Sequence, residues 1–347
     1  MIRIATRHLA ALSAATNAQQ LQGTIQKTIE LEFATIPPYL TAMMSLRVDK
    51  NREIWAILHS VVIDEMLHML INCNLLVALG GKPRIDSPQF VARYPGPLPM
   101  AIHSDLVVGL EAFSLALVEK TFMSIEKPEN PIQIEAAMAL PYATIGQFYA
   151  ALKAKVQELD NGEFNPDTSG QFVDDRWFPE QRLFRIASAD DAVRAIDLIV
   201  REGEGTPSTP IGAPGQPAHY YRFEQIVKGR RLLPDANAPS GFSFSGELIP
   251  FDASAVWPIT ANQKLRDLDP DSQAGRRARQ FAYSFTKLLK ALQQTFEGKP
   301  EAFATAMSLM FELKLAGQML CSAPTTFSGQ PTGKNAGPAF EYLNDNS

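Results

Sequence analysis

The sequence has almost no cysteine: Cys73 and Cys321 are alone among 347 residues. Two isolated thiols make neither a cysteine-based metal site nor a disulfide framework, and a cytoplasmic, reducing setting suits them. Charge of one sign is equally scarce, with 32 Lys and Arg against 37 Asp and Glu, a net charge of -5, and no block of like charges. That balance excludes nucleic acid and anionic lipid as partners. No window holds about 18 uninterrupted apolar residues, the length that would read as a membrane span. The Met1 to Ala15 segment, with Arg3 and Arg7 spread through a short apolar run, lacks a signal-peptide core. Strand signals are sparse and confined to about Phe242 to Leu248.

What the chain does have is helical periodicity, together with a hydrophobic content of 46% that supports a sizeable buried interior. From Asn17 to about Thr35, Leu21, Ile25, Ile29, Glu32 and Ile36 recur at steps of four and three, which places Glu32 on the buried stripe. Pro37 and Pro38 predict a kink or break just beyond it. A second helix is predicted from about Arg52 to Leu79, stopped by Gly80-Gly81. On it Leu58, Val61, Glu65, His68, Asn72 and Leu76 share a face. A Pro-rich connection from Pro83 to Pro99 is long enough to cross a bundle, and a third helix is predicted from Ser104 to about Lys127. Further helical patterns run from Pro141 to Leu159, from Ser188 through Glu202, from Arg276 to Phe296 and from Pro300 to Leu320.

The chemistry lies in Glu65-x-x-His68. Three residues apart on a helix, a carboxylate and an imidazole face the same way and can grip one metal ion. Di-iron and di-manganese bundles use this unit, completed by single inward Glu residues of neighbouring helices. Glu32 is one such residue. On the third helix Glu119 and Glu126 share the stripe, but seven residues span about 10.5 Å. A dinuclear centre with ions about 3.5 to 4 Å apart therefore uses one of them at most. Near the fourth helix, periodicity favours Glu202. Met43, Met44, Met66 and Met69 fall at helical spacing and read as core.

Several segments together resemble a known family: Thr35-Ile36-Pro37-Pro38-Tyr39-Leu40 after Glu32, Asp64-Glu65-Met66-Leu67-His68, Tyr94-Pro95-Gly96-Pro97, Gly203-Glu204-Gly205-Thr206 and His219-Tyr220-Tyr221-Arg222-Phe223. They are similar to the ferritin-like domain of the iminophenyl-pyruvate dimer synthase family, enzymes of violacein and rebeccamycin assembly in secondary metabolism. The likeness spans about Leu21 to Val227, and the last helices look like that family's helical extension. The large additional region of the pathway enzymes has no counterpart, so the domain is matched better than the activity.

The resemblance implies a fold and a ligand set. The expected fold is all-α: a ferritin-like four-helix bundle over 1–230 with a long crossover and extra loops, and a loop with additional C-terminal helices packed on it over 231–347. The implied metal ligands are Glu32, Glu65, His68, Glu126, Glu204 and His219, with Glu204 preferred over Glu202 and His219 standing in for a second Glu-x-x-His histidine. Flanking glycines at Gly203 and Gly205 free the backbone to aim the Glu204 carboxylate inward. Iron, alternatively manganese or zinc, is expected as one or two ions. By proximity in sequence alone, and apart from the resemblance, Asp64, Tyr39 and Tyr220 are candidates to orient the histidines from behind. Three functions fit: a metal-dependent oxidoreductase acting on a small aromatic or imine metabolite, a non-catalytic iron-binding protein, or a helical scaffold without metal. The expected partner is a small molecule, with no nucleic acid and no membrane, and with room for a homo-oligomer.

Overall fold

The computed structural model describes residues 6–100, 106–128, 145–159, 161–203, 209–212, 215–327 and 330–344. A short helix, Thr6–Ala14 (α1), precedes the first long one, Ala18–Ser45 (α2), which is capped by the Asn17 side chain accepting from the Gln20 N–H. The prolines expected to kink or break this helix lie inside it, without a break. Pro38 has no N–H for the carbonyl of Ala34, but the Tyr94 hydroxyl donates to that oxygen at 2.6 Å. The Thr41 hydroxyl likewise donates to the carbonyl of Pro37 at 2.8 Å. The backbone group freed by Pro38 is thus satisfied by a distant side chain, and the helix continues.

Arg52–Ala78 (α3) lies against α2 and ends where Gly80 adopts a left-handed φ of 72°. By length and composition α3 could cross a membrane, yet most of that stretch is buried inside this fold. A third bundle helix (α4) differs from the expectation. It begins at Leu115, capped by the Ser114 hydroxyl, eleven residues beyond Ser104, which lies outside the described residues. Upstream of it the backbone is tied elsewhere: Val108 bridges Gly96, Leu110 N–H donates to Asn262, and Phe113 N–H donates to Ser45. Within α4, Leu115–Leu117 passes into a π-helical turn, Val118–Phe122, and then Met123–Ile125.

The remaining helices are Ile145–Glu158 (α5), Ala189–Gly203 (α6), His219–Lys228 (α7), Gln273–Thr295 (α8) and Ala302–Cys321 (α9). Small antiparallel pairs join them, Leu233–Pro234 (β1) with Phe242–Ser243 (β2) and Pro324–Phe327 (β3) with Gln330–Asn335 (β4). The second hairpin follows the last helix. The protein is therefore predominantly helical, as expected. α8 and α9 pair with each other, and α9 crosses α2 at Gly317, where a Cβ would lie 2.2 Å from Met44 Sδ. This close approach requires glycine. It seats the C-terminal helices on the outer face of α2 and leaves the inner face to the bundle.

Candidate metal centre

Glu32 on α2, Glu65 and His68 on α3, Glu126 just past α4 and His219 at the start of α7 converge on one buried point. Their donor atoms form two groups, Glu32 with Glu65 and His68, and Glu65 with Glu126 and His219. Within each group the donor atoms lie within 4.8 Å of one another. Glu65 belongs to both. The two imidazoles stack at 5.4 Å with 24° between their planes. His68 Nδ1 faces Glu32 at 3.8 Å, while His219 Nδ1 faces Glu65 at 2.8 Å and Glu126 at 3.4 Å.

The far nitrogens of both rings meet a second set of carboxylates. His68 Nε2 lies 3.0 Å from Glu202 and His219 Nε2 lies 3.4 Å from Asp64. Arg182 spans these two acids, donating to Asp64 at 2.7 Å and to Glu202 at 2.7 Å. Arg222 donates to Asp64 from the other side at 2.7 Å. Such backing fixes a ring's orientation and tautomer and raises its basicity as a ligand. The inner carboxylates are held as well: Thr35 donates to Glu65 at 2.9 Å, Tyr39 to Glu126 at 2.5 Å, and Tyr149 to Glu32. Asn72, one turn beyond His68, donates to the His68 carbonyl and to the Tyr149 hydroxyl and accepts from Thr28.

Electrostatics mark the inner cluster as short of positive charge. Burial, and then the charge of Glu65, push Glu32 well above the ordinary carboxylate value and raise Glu126 too. Burial also raises Glu65, but His219, His68 and Thr35 outweigh it and hold this group low. His219 is driven well above the ordinary imidazole value: burial opposes its charge, and Asp64, Glu126 and Glu65 overcome that. The outer acids Asp64 and Glu202 stay depressed despite burial because His219 and Arg222, and His68 and Arg182, face them. The raised proton affinity of Glu32, Glu126 and His219 thus marks where the cluster wants a cation.

A metal fits this donor set. His219 Nδ1 is fully buried, and although Glu65 Oε1 is close, no acceptor has hydrogen-bond geometry to it. A buried nitrogen without a hydrogen bond is costly; one aimed among carboxylate oxygens is in place to ligate. Mixed carboxylate and imidazole donors suit Fe(II), Mn(II) or Zn(II).

Of the residues expected from sequence, the centre brings together Glu32, Glu65, His68, Glu126 and His219. Glu204 lies outside the described residues. Glu202 is fully buried behind His68. Glu119 points to solvent. The π turn accounts for that, since its wider winding rotates the residues beyond it, and positions seven apart no longer share a face. Asp64 backs His219 as expected, whereas Tyr39 holds the Glu126 carboxylate rather than a histidine. Tyr220 does neither; it packs beside Tyr221 away from the centre. Sequence reading missed Arg182, Arg222 and Tyr149. Arg222 was within reach, because it stands three residues after His219 and shares its face. Arg182 comes from a loop without periodicity and carries no local signal.

The sequence profile of the ferritin-like family matches residues 25–228, more than half of the chain and all of this centre. The chain belongs to the ferritin-like family. This ferritin-like protein is also similar in structure to a ferritin-like protein from Caulobacter vibrioides, with a TM-score of 0.60 at 24% sequence identity. That likeness covers 93% of this chain and 97% of the other, and it shows the fold. No curated protein matches this chain.

Proposed function

We propose that this ferritin-like protein is a metal-dependent oxidoreductase with a dinuclear iron or manganese centre. The observation that carries this reading is the pair of donor groups sharing Glu65, each with one histidine backed by a buried acid. Glu32 and His68 would hold one ion, Glu126 and His219 the other, with Glu65 common to both. When bound, iron or manganese would supply one-electron chemistry and polarise oxygen or substrate.

The protein's own groups prepare the site. Asp64 and Glu202 aim the imidazoles, and Arg182 balances both acids so that neither needs a proton. Tyr39 and Tyr149 hold Glu126 and Glu32 by their hydroxyls and leave their other oxygens free. A cavity of about 40 Å³ adjoins the centre, walled by Leu31, Ile125, Ile199 and Val200. A space of this size takes dioxygen or the reactive end of a substrate. The substrate class, a small aromatic or imine metabolite, rests on the likeness of Thr35 to Leu40 and His219 to Phe223 to the iminophenyl-pyruvate dimer synthase family.

The test is oxygen uptake by the Fe(II)-loaded protein with and without imines derived from indole-3-pyruvate. Turnover beyond a single oxidation of the iron, dependent on the imine, is expected. Oxidation of Fe(II) alone would reassign the protein as a non-catalytic iron binder, a reading that the small cavity also accommodates. Purified protein without Fe, Mn or Zn after metal-replete expression would sink both.

A further inference from the structure

The helices that carry the metal ligands turn a different face to a second cavity. Val62, Met66 and Met69 lie on α3 about 100° round from Glu65 and His68, and Phe33 and Ile36 stand beside Glu32 and Thr35 on α2. Together with α8 and α9 they enclose a cavity of about 230 Å³ that is almost wholly apolar and separate from the centre. Six of its lining residues are methionine, the side chain that adapts best to an irregular occupant. So apolar a lining offers water few hydrogen bonds, and its walls lack the dispersion contacts that an apolar body would restore.

Only two lining residues are ionisable, His59 and Lys314. The Lys314 ammonium lies 5.4 Å from the Trp55 ring and 5.4 Å from the half-exposed Phe311 ring, and it makes no ion pair among the described residues. His59 stacks on the same indole at 4.9 Å. Burial, and then Lys314, lower the pKa of His59, so at neutral pH it is an uncharged donor. A cation without an ion pair and a neutral imidazole therefore lie together at the edge of an apolar hollow.

We propose that this cavity binds a small amphipathic monocarboxylate, its apolar body between α2, α3, α8 and α9 and its carboxylate accepting from the Lys314 ammonium at the cavity's edge. The carboxylate supplies the missing counter-charge, and the body fills the hollow. Neither a cation nor a neutral hydrocarbon satisfies both ends. This second site does not depend on the metal assignment.

Calorimetric titration of the full chain with decanoate, below its micelle concentration, and with 1-decanol tests it. One decanoate per chain is expected, with decanol weaker by about tenfold, the margin of a charge-assisted hydrogen bond. Lys314→Gln brings decanoate to the level of decanol, Lys314→Arg largely restores it, and metal content changes in neither. Met310→Trp, or Leu292→Phe if the first variant does not fold, plugs the cavity and removes binding of both ligands. Undiminished decanoate affinity in Lys314→Gln overturns the proposal, as does absence of saturable binding to the wild type. A wild-type dimer that takes no decanoate and dissociates on Phe311→Glu also overturns it, by assigning this face, with the exposed Leu315 and Met319 of the same helix, to a second copy.

Discussion

Two faces of the same helix pair, α2 with α3, do opposite things in this protein. On one, five ligand-side residues and two backing acids gather with Arg182 and Arg222, and nearly every polar atom is met. On the other, methionines and aromatic rings surround a hollow with one cation at its edge. The difference teaches how burial treats the two kinds of group. Polar atoms tolerate burial only in complete networks, so the centre is specified atom by atom. Apolar groups tolerate imperfect filling, so the cavity is specified only in outline. Substitutions one residue apart on α3 should therefore have very different consequences.

The largest effect is expected at Glu65, shared by both donor groups. Glu65→Ala should abolish uptake of both ions, exceeding the roughly 10–100-fold loss of affinity typical when an outer partner is removed. His68→Ala should follow closely and His59→Ala should match wild type, as read by elemental analysis of protein expressed with excess metal. Equal losses in all three would erase the contrast between the faces. Next comes Arg182, which holds Asp64 and Glu202 together. Removing one partner of a buried ion pair leaves uncompensated charge and costs about 3–5 kcal/mol. Arg182→Ala should lower thermal stability accordingly and weaken metal binding about 10–100-fold, whereas a stability unchanged in differential scanning calorimetry would show the bridge to be idle.

Legibility in the sequence follows the same division. Glu32, Glu65 and His68 announce themselves because they interrupt apolar stripes of regular helices, and an acid on a buried stripe needs a reason. Glu126 and His219 could be singled out only through resemblance, since a π turn displaces the first and the second begins its own helix after a loop. The continuity of α2 was not legible: Tyr94 relieves Pro38 from some 60 residues away in sequence, as the hydrogen bond between them records. Arg182 was invisible for a related reason. Its partners, Asp64 and Glu202, come from two other segments, and no local pattern reports a charge match made in space. The Met positions were read correctly as interior, but helical spacing does not distinguish a filled core from the wall of a cavity.

An intermediate effect should appear with pH. Glu32, Glu126 and His219 bind protons more tightly in the folded chain than in ordinary solution. The sign comes from linkage: the stability these groups contribute is present below their unfolded values and is lost as pH rises through the folded ones. Asp64 and Glu202, held low, contribute the reverse, stability lost only in acid. A divalent ion replaces the protons of the inner cluster. Affinity for Mn(II) should thus rise about tenfold per pH unit for each proton displaced, measurable by titration between about pH 6 and 8 with proton release in unbuffered solution. An affinity flat across that range would mean that the inner acids are already ionised without metal, contrary to their burial beside Glu65.

The smallest effect is expected one residue from the largest. Met66 follows Glu65 on α3 but faces the apolar cavity, where flexible walls tolerate a change of shape. Met66→Leu conserves volume and should cost less than about 1.5 kcal/mol, with metal content and its pH dependence unchanged. Chemical denaturation and elemental analysis of this single variant check both halves. If Met66→Leu emptied the centre of metal, the two faces would be mechanically coupled through α3, and an occupant of the cavity would then govern the metal site. If it left the metal in place, as expected, the helix acts as a partition whose sides answer to different chemistry: geometry of charge on one, volume on the other.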